Sequence, residues 1–172
     1  ADALKIAVLK ESAPGETRVA ATPETVKKFV GLGHSVSVQT GAGVGASALD
    51  DQYKAAGADI SADGGVSGAD LVLKVRRPTD GEIAAMRSGA GFCALLEPYG
   101  DRGVMEVLAA KRIDALAMEF IPRISRAQSM DALSSQANLA GYRAVIEAAT
   151  LYGRAFPMMM TAAGTVAAAK VF

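Results

Sequence analysis

The sequence predicts an α/β fold: a doubly wound parallel sheet followed by one long connecting helix. Three observations carry this. Short apolar runs alternate with amphipathic stretches through the first 120 residues, the pattern of strands covered by helices on both faces. Cap and stop residues punctuate that alternation at the expected places. After it, residues 131 to 153 contain no proline and hold helical spacing without a break.

The elements follow in order. "LKIAVLK" (4 to 10) reads as a strand. "TPETVKKFVGLG" reads as a helix with Thr22 as N-cap and Pro23 at its first position. Val26, Phe29 and Val30 share one face, and Gly31 and Gly33 end it. "SVSVQT" (35 to 40) is a second strand, "DDQYKAAGA" a short helix and "DLVLKV" (70 to 75) a buried strand. Thr79 and Glu82 have capping-box spacing ahead of Ile83 and Met86. "GFCALLE" is a strand, "RGVMEVLAAKR" a helix and "IDALAMEF" (113 to 120) a strand. Asp131 then caps a helix of about 34 Å that ends at Gly153. Leu133, Ala137, Ala140 and Ala144 form a narrow stripe of small residues along it. The closing "MTAAGTVAAAKVF" reads as a tail, with "AKVF" as the opening of another strand.

This organisation predicts an α/β domain over 1–122, a polar loop and connecting helix over 123–155, and a hinge with the start of a further domain over 156–172. Composition excludes several classes. Lys+Arg 18 balance Asp+Glu 18, so no basic field points to nucleic acid. No apolar run approaches the roughly 20 residues of a membrane span, so no direct membrane insertion is expected. The single Cys93 excludes an internal disulfide and fits a reducing compartment. His34 is the only histidine and no Cys or carboxylate cluster has ligand spacing, so no metal site is expected.

Candidate chemistry lies in three places. "GAGVGA" (41 to 46) matches the dinucleotide fingerprint after a strand, but no helix opens at once, which favours a glycine-rich turn. Arg18 and Lys74 fall where a parallel sheet presents its carboxyl ends. There they read either as anion binders or as a surface Arg and a snorkelling Lys. The stretch "RISRAQSMDALSSQANLAGYRA" (123 to 144) is the richest. Arg123 supplies donors, Gln128 a donor and an acceptor, Asp131 acceptors and Ser134 either. A carboxamide needs that mixture. An N-capped helix behind a solvated loop needs no more than the same residues.

"PRISRAQSMDALSSQANLAGYRAVIEAA" with "MTAAGTV…AKV" resembles the NAD(H)-binding component of proton-translocating nicotinamide nucleotide transhydrogenase. So do "KIAVLKESAPGETRVAATPETVKKFVGLGHSV", "TGAGVGAS" and "LVLKVRRP". The likeness runs from residue 4 to the end. It implies that Arg123, Gln128, Asp131 and Ser134 hold the nicotinamide end of NAD(H), with Gln128 and Asp131 closest to the hydride step. NADP(H) would sit on a partner component, and hydride transfer would be coupled to protons passing through a membrane component. The resemblance further implies a homodimer, located in the cytoplasm and peripheral to the inner membrane.

In that family the dinucleotide-binding Rossmann domain begins after "AKVF", so the second Rossmann domain is expected to be absent from this chain. By itself the chain is then expected to bind NADH weakly and to be inactive. Alanine dehydrogenase shares the N-terminal architecture and is the alternative. There an Arg and a Lys matching Arg18 and Lys74 bind the keto acid, while the catalytic His falls near Glu97, a carboxylate unsuited to that work. A non-catalytic flavodoxin-like binding or assembly module is the third reading.

Overall fold

The computed structural model describes every residue except Ala1, Asp101 and Phe172. It divides into two compact units, Ala1–Ile121 and Pro122–Phe172.

The first unit is a six-stranded, all-parallel sheet. Its strands are β1 (Lys5–Val8), β2 (Ser35–Gln39), β3 (Asp59–Ser61), β4 (Leu71–Leu73), β5 (Gly91–Ala94) and β6 (Asp114–Ala117), in the order β3-β2-β1-β4-β5-β6. Four helices connect them: α1 (Pro23–Gly31), α2 (Asp50–Ala55), α3 (Asp80–Ala85) and α4 (Gly103–Ala110). Alternate residues of β1 feed opposite cores, as period-2 strand geometry requires. Ile6 and Val8 join Val26, Val36, Val38 and Tyr53 on one face. Ala7 joins Val72, Ile83, Met86, Phe92 and Leu108 on the other. Burial on both faces is why β1 reads as a continuous apolar run.

The caps foreseen in the sequence are made. Thr22 accepts a hydrogen bond from the Thr25 amide at 3.3 Å, with Pro23 opening α1. Thr79 and Glu82 exchange both capping-box bonds at the start of α3 (Glu82 N to Thr79 Oγ1 3.2 Å, Thr79 N to Glu82 Oε2 2.7 Å). Gly33 follows α1 at φ 90°, a left-handed turn that side-chain-bearing residues enter at a cost.

Strand β3 was not foreseen: it is three residues long, too short for a period to show. The run 113–120 is also shorter as a strand than expected. It leaves the sheet at Ala117 for a 3₁₀ turn, Met118–Phe120. That turn brings the Glu119 carboxylate onto the amides of Leu96 (3.1 Å) and Glu97 (2.6 Å), which follow β5.

In the second unit a 3₁₀ segment, Ser125–Met130, leads into α5 (Ala132–Tyr152). Asp131 is its N-cap, and Gly153 ends it in the left-handed conformation at φ 68°. None of its residues is buried, so the expected small-residue stripe lies exposed. The tail differs from the reading of the sequence. Met159–Thr161 (β7) and Gly164–Val166 (β8) pair antiparallel as a hairpin. Gly164 reaches φ 137°, which only glycine adopts freely, and Thr161 Oγ1 accepts from the Ala163 amide at 3.2 Å. Residues 169–171 form no strand; Phe172 lies outside the described residues.

Candidate functional site

A parallel sheet of this strand order offers its ligand crevice beyond the carboxyl ends of β1 and β4, where the winding reverses. Two clefts of about 360 and 260 Å³ remain open there, lined in part by Glu11, Glu16 and Glu97, and the protein's own carboxylates take up backbone amides around them. Behind β4, Glu11 accepts from the amides of Val75 (2.6 Å) and Arg76 (3.2 Å). Behind β5, Glu119 does the same for Leu96 and Glu97. Burial pushes the Glu119 carboxyl up, but those amides outweigh it and hold it below the usual range. Behind β2, the Gly41 amide donates to Asp50 at 2.9 and 3.2 Å. In a dinucleotide-binding turn the second glycine, in "GAGVGA" Gly43, is the one whose backbone approaches the pyrophosphate. Gly43 and Gly45 are packing positions: a Cβ on Gly43 would lie 2.6 Å from the Ala48 carbonyl oxygen, and one on Gly45 2.8 Å from that of Thr17. The stretch is a turn, as its missing helix indicated.

The two cations are spent in the same way. Arg18 binds Glu16 through Nε (2.8 Å) and Nη2 (2.7 Å). Arg76 Nε reaches the same carboxylate at 2.9 Å. The Arg18 guanidinium is the main reason the Glu16 carboxyl is lowered to about 2. Lys74, whose side chain is fully buried, donates to both oxygens of Glu82 (2.8 and 2.9 Å). It is buried and paired rather than snorkelling to solvent. Glu97 sits at φ 49° with its carboxylate 3.5 Å from Arg76. A keto acid would find no uncommitted Arg18 or Lys74 here. His34 is structural, its Nδ1 accepting from the Leu4 amide at 3.2 Å.

The second unit is different. Arg123, Gln128, Asp131 and Ser134 line one cleft of about 430 Å³ together with Pro122 and Ile124, within the range of small-molecule sites. The 3₁₀ turn carries Gln128 and the helix start carries Asp131 and Ser134. Asp131 Oδ1 accepts from the Ser134 amide at 3.1 Å, and Oδ2 accepts from the Ser134 hydroxyl at 2.6 Å. Those bonds, with the Ser134 hydroxyl first, hold the Asp131 carboxyl below its ordinary value, so it is ionised at neutral pH. The side chains of Arg123 and Gln128 make no hydrogen bond among the described residues. The cleft is therefore lined by fixed acceptors at Asp131 and Ser134 and by donors at Arg123 and Gln128 that no hydrogen bond engages. Pro122 and Ile124, which sequence reasoning did not single out, add apolar surface. Their signal was their place beside Arg123 in "IPRI".

Among the described residues, no group of His, Cys, Asp and Glu could hold a metal ion, and no helix is long and apolar enough to cross a membrane.

Comparison with known proteins agrees with this architecture. The family described as alanine dehydrogenase/PNT, N-terminal domain, matches residues 7–140. An NAD(P) transhydrogenase subunit alpha chain of Rhodospirillum rubrum is 56% identical over 98% of this chain and 46% of its own length. The crystal structure of transhydrogenase from Sinorhizobium meliloti superposes with a TM-score of 0.91 at 52% identity, over 96% of this chain and 50% of that one. Alanine dehydrogenase 1 of Staphylococcus aureus is 32% identical over 82% of this chain and 37% of its own length. The chain thus spans half or less of the length of each of these proteins. By sequence and by fold, the chain belongs to the alanine dehydrogenase/PNT N-terminal domain family.

Proposed function

We propose that this chain supplies the nicotinamide-holding part of the NAD(H)-side component of a proton-translocating transhydrogenase, which moves hydride between NAD(H) and NADP(H). The observation that carries the reading is the cleft at the start of α5, lined by both free donors and fixed acceptors. A carboxamide has one acceptor oxygen and two N–H donors, and it fits that division. Arg123 and Gln128 would donate to its oxygen, while Asp131 and Ser134 would receive its N–H groups. The bound dinucleotide would supply the hydride itself. The side chains would then serve to fix the position of the ring, because no proton need be moved.

The turn "GAGVGA" is committed to the fold, with Gly43 and Gly45 packed against backbone carbonyls and the Gly41 amide given to Asp50, so the adenosine and phosphates would be held elsewhere in the working protein. NADP(H) would be carried by a partner component and protons by a membrane component. The chain would act as a homodimer in the cytoplasm, peripheral to the inner membrane. Exposed Leu133, Leu139, Tyr142 and Val145 on α5 are suitable contact surface for a second copy.

The test uses the complete protein assembled with an NADP(H)-binding component. Gln128→Asn and Asp131→Asn should slow single-turnover hydride transfer on the order of 10²-fold, the cost of misplacing reacting groups by about 1 Å. The NADH dissociation constant should change little. Unchanged transfer rates in both variants would return the cluster to a solvated helix start.

A further inference from the structure

Behind β5 the backbone is held in a shape it would not take by itself. Glu97 lies at φ 49°, a left-handed conformation that a side-chain-bearing residue keeps only where its surroundings impose it. Its side chain is 63% exposed, so the conformation does not serve to bury it. The peptide groups supply the reason. The carbonyls of Leu96 and Glu97 accept from Arg77, through Nε at 2.6 Å and through Nη2. The amides of the same two residues donate to the Glu119 carboxylate at 3.1 and 2.6 Å. Successive amides turned onto one anion make a binding concavity. Its occupant comes from the 3₁₀ turn Met118–Phe120.

A second contact ties that turn to the same loop. The Tyr99 ring stands edge-on to Phe120, with centroids 5.7 Å apart at 87°. The chain then continues with little freedom. The Ile121 amide donates to the Met118 carbonyl at 3.3 Å. Ile121, at φ −61° and ψ 120°, holds the extended form that a following proline favours. Pro122, Arg123 and Ile124 come next, three of the six residues that line the cleft. Resting on the function proposed above, we infer that Glu119 is a positioning residue for hydride transfer: by holding the turn Met118–Phe120 to the loop after β5, it fixes where the segment Pro122–Ile124 begins. It touches no substrate. Ring placement governs transfer rate more than affinity, so the loss of this anchor is read in the transfer step.

The experiment uses the complete protein assembled with an NADP(H)-binding component. Glu119→Gln keeps the size of the side chain but removes its charge and one accepting oxygen. It should slow single-turnover hydride transfer about tenfold, as a shift of a fraction of 1 Å would, and change the NADH dissociation constant less than about twofold. Tyr99→Ala removes the second tie and should slow transfer about threefold. Tyr99 is 88% exposed, so that variant folds. Glu16→Gln removes a paired carboxylate elsewhere in the crevice and controls for lost stability alone. It should transfer hydride at the wild-type rate.

Transfer by Glu119→Gln within about twofold of wild type overturns the inference. So does an equal slowing in Glu16→Gln, which would leave Glu119 as one stabilising carboxylate among several. Should Glu119→Gln fail to fold, Tyr99→Ala decides, and an unchanged rate there overturns the inference. The site assignment is judged separately. It still stands if Gln128→Asn slows transfer while Glu119→Gln does not, and it has failed as well if neither Gln128→Asn nor Asp131→Asn alters transfer.

Discussion

The carboxyl end of the sheet and the start of α5 are both lined with charged and amide groups, yet they are built in opposite senses. In the crevice, Glu11, Glu16, Glu82, Glu119 and Asp50 each meet a backbone amide or a cation of the same domain. In the cleft, Asp131 and Ser134 satisfy each other, while Arg123 and Gln128 face outward without a hydrogen-bonded partner among the described residues. A buried charge left unpaired is costly, so pairing within the crevice is required for stability. An exposed Arg or Gln can wait in water for a ligand at little cost. The lesson is that, at the position where a doubly wound fold usually binds, these five carboxylates serve the fold. The candidate binding groups lie outside the sheet.

That contrast can be broken most severely at Lys74. Glu82→Ala strands a fully buried ammonium and removes half of the α3 capping box. Losing one partner of a buried pair costs about 3–5 kcal/mol. Urea unfolding should show a loss of that size, and a loss below about 1 kcal/mol would mean that Lys74 is not held as a structural pair.

A smaller effect is expected at Glu16. Its folded pKa of about 2 lies below its ordinary 4.5. The stability it contributes is therefore present above pH 4.5 and is lost as pH falls toward about 2. Solvent screens the half-exposed Arg76, so on the order of 2 kcal/mol is expected rather than the full value of the shift. Wild type should lose stability more steeply across that window than Glu16→Gln, while the two should bind NADH alike. Equal acid slopes would show that the Glu16 pairs contribute nothing. Altered NADH binding would mean that the crevice takes part in recognition.

Much of this was legible in the sequence because it is local. Thr22–Pro23, Thr79–Glu82, Asp131 and Gly153 are each read over four residues or fewer, and each cap was found where the pattern put it. The crevice was not legible, because Glu11 reaches amides 64 and 65 residues away and Glu119 amides 22 and 23 away. No spacing rule spans such distances. Lys74 was ambiguous for the same reason: its partner lies eight residues on, across a turn. The β7–β8 hairpin was missed because its strands have three residues each and its two-residue loop is Ala162-Ala163, without the Asn-Gly or Asp-Gly that marks such turns. At the α5 cleft the residues were named from the family resemblance. Spacing alone left the capped-helix reading open, and Asp131 does cap the helix.

The central claim is that nicotinamide recognition belongs to the cleft and not to the crevice. It is tested most directly by titrating NADH into nitrogen-labelled complete protein. The side-chain amide resonance of Gln128 would be followed together with the backbone amides of Ser134, Gly41 and Glu97. The account predicts saturable shifts at Gln128 and Ser134, with Gly41 and Glu97 unmoved because Asp50 and Glu119 already hold their N–H groups. Shifts at Gly41 and Glu97 with none at Gln128 would contradict it.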